Sequence, residues 1–192
     1  SLAVYNKGKA AIDSIITEKL AVAGTSSINV YKPVEPIRYI TASLKYSYNY
    51  STTSLHAYGL SVAKALEPLG NKEGNEIATM LAALQNKDQI KVQSLLDSAK
   101  RNKQIIASLL KIVVPQKAAT VHLGLINALE ENRVLIADMA LILDSPYQAL
   151  ESANLYRVKK LTLAKAIEKM NDFFQENNVR FTKEENRSLN IN

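Results

Sequence analysis

Residues 115–142, PQKAATVHLGLINALEENRVLIADMALI, decide how the chain is read. Val121, Leu125, Ala128, Asn132, Leu135, Met139 and Ile142 follow one another in steps of four and three, the spacing of a helical seam. Leu123, Ile126, Leu129 and Ile136 widen that seam beyond the stripe of a two-stranded coiled coil. A helix apolar on more than one side has neighbours on more than one side, so this segment is expected to be the central member of a bundle. Pro115 suits the first turn of such a helix, because its missing N–H would have had no partner there.

Flanking stretches repeat the theme. From Asp88, the residues Val92, Leu95, Leu96 and Ala99 keep helical spacing, and the stripe resumes at Ile105, Ile106, Leu109, Leu110 and Val113. Asp144-Ser145-Pro146 is a clear boundary, with a capping side chain followed by a proline that presets the next helix. That helix runs to Gln175-Glu176-Asn177-Asn178. Helices over 88–113, 115–143 and 146–176 joined by short turns predict an antiparallel three-helix core, roughly 40–45 Å long at 1.5 Å per residue.

The first half predicts three more helices, at 2–23, 36–66 and 76–85. The expected architecture is a single all-α domain over 1–192, an elongated antiparallel bundle of about six helices. In it, helices within 2–85 pack on the 88–176 core and residues 180–192 form a frayed polar tail. Lys45-Tyr46-Ser47-Tyr48-Asn49-Tyr50 alternates with period two, which is also a strand signal. A lone strand has nothing to pair with, so helix or an irregular join is expected there.

Composition excludes several classes. The chain has no Cys, which removes disulfides and thiolate metal sites. No stretch reaches the roughly 18–20 continuous apolar residues of a bilayer span. A net charge of +6 carried by eighteen Lys and only six Arg argues against specific nucleic-acid readout, which leans on the Arg fork. The start, Ser1-Leu2-Ala3, lacks an initiator Met and reads as a processed or trimmed terminus, which leaves room for a signal or anchor before it.

No catalytic cluster emerges. His56 and His122 lack an acid three residues before them, and His-x-x-x-His does not occur, so both are expected to pack or hydrogen-bond. Glu130-Glu131 with Asp138, and Glu168 with Asp172, share helix faces, but Arg133, Lys165 and Lys169 lie close enough to make solvated ion-paired surfaces. The runs Lys100-Arg101-Asn102-Lys103 and Arg157-Val158-Lys159-Lys160 are expected to be solvated too. Neither a cofactor nor a metal set is expected.

Seven of nine tyrosines fall in the first 58 residues. Tyrosines supply rigid contact area with a polar tip. Tyr39, Tyr46, Tyr48, Tyr50 and Tyr58 are therefore the candidate partner contacts, although Tyr39, Tyr46 and Tyr50 are also spaced to line a helical core.

One set of motifs resembles a known group. Val113-Val114-Pro115, Val121-His122-Leu123, Leu125-Ile126-Asn127-Ala128-Leu129, Asp144-Ser145-Pro146 and Tyr156, with Leu66-Glu67-Pro68-Leu69 upstream, are similar to uncharacterised helical proteins of small-genome, uncultivated bacterial lineages, often behind an export signal. The resemblance implies an all-helical, exported, envelope-facing protein and brings no catalytic residues. The expected function is a non-catalytic structural or interaction module whose partner is a protein or a second copy. A hydrolase using isolated carboxylates, and non-specific nucleic-acid binding, are the alternatives.

Overall fold

The computed structural model describes residues 34–70, 75–182 and 185. Within them the protein is mostly helical: α1 (Thr52–Gly70), α2 (Glu76–Asn86), α3 (Gln89–Leu109), α4 (Ala119–Met139) and α5 (Pro146–Glu176). Two three-residue strands, β1 (Lys45–Ser47) and β2 (Val113–Pro115), complete it, each next to a 3-10 turn. Five helices are thus present among the described residues, and the helix expected at 2–23 lies outside them.

Local chemistry sets the boundaries. Asn75 Oδ1 accepts from the Ala78 N–H and Asp88 Oδ1 from the Ile90 N–H, satisfying orphan donors at the starts of α2 and α3. Lys87 takes a left-handed φ of 50° and closes α2. Pro146 occupies the first turn of α5.

The helix expected at 36–66 is corrected by the structure. Helix begins only at Thr52, and Lys45, Tyr46 and Ser47 pair in parallel with Val113, Val114 and Pro115. The alternating stretch does have a partner, and the β-branched pair Val113-Val114 supplies it by leaving α3 early. Helix α3 therefore ends at Leu109 and not at 113, and α4 ends at Met139 before a turn and not at 143.

Ahead of the 3-10 turn at Thr41–Ser43, residues 34–40 form neither helix nor strand and lie across α4. The Asn127 side chain reads the Tyr39 backbone twice, accepting its N–H at 2.8 Å and donating to its carbonyl at 3.1 Å. Glu130 accepts the Ile37 N–H at 3.3 Å while Arg133 grips the same carboxylate at 2.6 and 2.7 Å. The Asn127→Ala protein is expected to lose about 1–3 kcal/mol of local holding. Amide exchange at Tyr39 should speed up while α5 amides keep their protection; unchanged exchange at Tyr39 would show that Asn127 does not hold this segment.

Two apolar clusters form the core. One joins Leu55, Tyr58 and Val62 of α1 to Ile105 and Leu109 of α3, Leu125 and Leu129 of α4, and Met170 and Phe174 of α5. The other joins Met80 of α2 to Leu95 of α3, Ile136 and Met139 of α4, and Ala153 and Tyr156 of α5. Helix α4 runs through both, as a central helix should. Along α4 and α5 the contacts step in opposite senses: Ser152 bonds Asp138 at 3.4 Å, and Lys159 meets Glu131 at 3.0 Å.

Of the tail expected to fray, 180–192, residues 180–182 and 185 are described, and Val179 lies just ahead of it. Val179 is buried, and the Phe181 ring meets Phe174 edge-on and stacks on His56. Gly59 makes room for it, since a Cβ there would run into the Phe181 ring. Thr182 and Glu185 exchange hydrogen bonds, and Glu185 reaches His56 at 3.4 Å.

Candidate functional site

The five candidate tyrosines do not form one patch. Tyr58 is 4% exposed and belongs to the core, which removes it as a partner contact. Tyr39 and Tyr46 are half-buried against the same cluster, and the Tyr46 hydroxyl donates to the Thr41 carbonyl. Tyr50 is half-buried, with its hydroxyl on Gln116 and Lys117 Nζ 5.0 Å above its ring. Only Tyr48, at 71%, stands well clear among these five.

Tyr58 instead completes a buried relay. The Leu109 carbonyl can only accept, so His122 carries its proton on Nε2, 3.2 Å away, and Nδ1 accepts from the Tyr58 hydroxyl at 2.9 Å. Burial lowers the His122 pKa to about 4, against the smaller opposing pull of the Leu109 bond, and burial pushes the Tyr58 hydroxyl up. Both polar groups are satisfied, and the arrangement holds α1, α3 and α4 together.

The acids are corrected as well. Glu130 and Asp138 were expected on a solvated face but are 2% and 4% exposed. Glu130 is gripped by Arg133, whose own pKa rises chiefly through that bond. Among the described residues no group of three or more acidic or His side chains is placed to hold a metal ion.

A polar cleft opens where the two apolar clusters meet. Each long helix changes cluster across it: Ala99 to Ile105 on α3, Leu129 to Ile136 on α4, Tyr156 to Leu163 on α5. In those intervals stand Asn102, Asn132 and Lys160. Asn132 is 1% exposed, and among the described residues neither its Nδ2 nor its Oδ1 has a hydrogen-bond partner. Arg101 and Ser98 line the α3 wall, bonded to each other at 2.8 Å. Glu76 enters from the start of α2 and accepts the Tyr156 hydroxyl at 3.0 Å. Leu69, Ile136 and Leu163 supply apolar lining, and the cavity holds about 60 Å³.

The sequence carries a signal for this site in the polarity of its seam. Asn132 occupies a seam position otherwise apolar along α4, and the two basic runs contribute Arg101 and Lys160. A further exposed feature lies on α5, where Tyr147, Leu155, Val158 and Leu161 are all more than half exposed. No helix among the described residues is long and apolar enough to cross a membrane. No family model, no curated protein and no solved structure matches the chain.

Proposed function

We propose that this protein is a non-catalytic interaction module, an elongated antiparallel bundle that pairs with a second copy of itself through α5. The opposite stepping of the Asp138–Ser152 and Glu131–Lys159 contacts supports the antiparallel arrangement of α4 and α5. The acids singled out on α4 are committed to partners, Glu130 to Arg133, Glu131 to Lys159 and Asp138 to Ser152, which disfavours a carboxylate hydrolase. The likeness to exported helical proteins supports an envelope-facing location.

The observation that carries the reading is the self-complementarity of the α5 face. At 100° per residue, Tyr147, Glu151, Leu155, Val158, Leu161, Lys165 and Lys169 lie on one side of the helix, all exposed. Turned about a two-fold axis at Val158, that face matches itself. Leu155 comes level with Leu161 of the second copy, Glu151 with Lys165, and Tyr147 with Lys169. Val158 and the two leucines give the centre apolar contact, and Asn154 and Thr162 come level with each other between them. Opposite charges meet farther out, and a lysine reaches an aromatic ring at each end.

In light scattering the wild-type protein is expected at twice its 21.2 kDa. Val158→Glu should leave a monomer. Glu151→Lys should weaken pairing by repelling Lys165 of the other copy, and adding Lys165→Glu should restore it. Because the chain has no Cys, Val158→Cys provides a single thiol on the axis that should oxidise to a disulfide dimer. A wild-type protein that stays monomeric at about 100 μM, roughly −5 to −6 kcal/mol of pairing energy, defeats the proposal.

A further inference from the structure

We infer that the cleft around Asn132 is a binding site for a small free α-amino acid. This rests on different residues and a different observation from self-pairing through α5.

Leaving both ends of a buried carboxamide unpaired costs about 1–3 kcal/mol per group, and here both belong to one side chain 1% exposed at the cleft wall. An occupant that satisfies it must offer an acceptor to Nδ2 and a donor to Oδ1. Arg101 and Lys160 add two positive charges, and Glu76 adds one negative charge with oxygen capacity beyond its bond from Tyr156. A carboxylate beside an ammonium group matches this pattern: the carboxylate faces the two cations and Asn132 Nδ2, and the ammonium faces Glu76 and Asn132 Oδ1.

Size and lining narrow the class. At roughly 10–15 Å³ per water, a cavity of about 60 Å³ takes four to six heavy atoms, the size of glycine or alanine. Ile136, Leu163 and Leu69 offer a small side chain an apolar resting place. A plain anion would leave Asn132 Oδ1 without a donor, and a plain amine would leave the two cations unmatched. The position suits control of the fold, because the site touches all five helices at the junction of the two clusters.

L-alanine is the probe, with propionate and ethylamine as the same molecule lacking the ammonium or the carboxylate. By calorimetry on the wild-type protein, L-alanine should bind saturably, and each half-ligand should bind at least ~10-fold more weakly, because each leaves buried groups unpaired. L-alanine should also raise the melting temperature. Asn132→Leu, close in shape, should fold with a higher melting temperature than the unliganded wild type and lose L-alanine binding. Arg101→Gln, at a half-exposed position, should fold normally and bind at least ~10-fold more weakly. The inference is overturned by no saturable signal up to about 20 mM L-alanine, by propionate binding as tightly as L-alanine, or by undiminished binding in Asn132→Leu or Arg101→Gln. The oligomeric state of α5 variants has no part in this readout.

Discussion

Tyr58→Ala is expected to cost about 3–5 kcal/mol of folding stability, while Tyr48→Ala stays within about 0.5 kcal/mol. Three losses add at Tyr58. The deleted ring leaves a hole between Phe174, 5.8 Å away between ring centres, and Met170, whose sulfur lies 3.7 Å from the hydroxyl. His122 Nδ1 loses its donor in a site with no exposure to water. The α1 side of the relay from the Leu109 carbonyl is also released. Tyr58→Phe separates these effects: the ring remains, only the donor goes, and the cost should fall to about 1–2 kcal/mol. Urea unfolding with unchanged m-values is the measurement. If Tyr58→Ala costs less than about 1 kcal/mol, the ring does not anchor the core as described.

The contrast between those two tyrosines shows what a sequence displays and what it hides. Tyr58 shares helical phase with Leu55, Val62 and Ala65, and that spacing marks it as inward-facing. Tyr46, Tyr48 and Tyr50 lie close by in sequence but outside that helix, so the density of aromatics there masks the phase. Tyr48 lies just beyond β1, where no helical period applies, so neighbours in sequence ended in opposite environments.

Helix α5 was legible from end to end, because Pro146 starts it and Gln175-Glu176-Asn177-Asn178 stops it within a few residues of chain. The start of α3 at Asp88 was equally plain, since a cap acts on its immediate neighbours. Strand β1 was not legible as paired, because its partner begins 68 residues later (113 − 45) and was disguised as the end of a helical stripe. Pairing is a non-local fact, and three-residue strands leave little pattern to betray it. Asn132 stood out in the seam by its polarity. That its amide is unpaired depends on all five helices arriving together around the cleft, which no periodicity encodes.

The second large effect is a loss of stability in mild acid through His122. Its pKa falls from 6.5 to about 4 on folding, because the ring is fully buried and its two nitrogens meet only the Tyr58 hydroxyl and the Leu109 carbonyl. Among the described residues no carboxylate is bonded to the ring to favour its charged form. Above pH 6.5 the ring is neutral in both states and titration costs nothing. Between pH 6.5 and about 4 the unfolded chain takes up a proton that the core refuses, so stability drops as pH drops. At about 1.36 kcal/mol per pH unit the loss reaches roughly 3 kcal/mol and then levels off. The comparison that isolates the imidazole is with His122→Gln, which keeps a side-chain donor for Leu109 but cannot charge. That variant should be less stable at pH 7.5, yet should lose roughly 3 kcal/mol less than the wild type on going to pH 4. Parallel pH profiles for the two proteins would show that the buried imidazole is not what acid attacks.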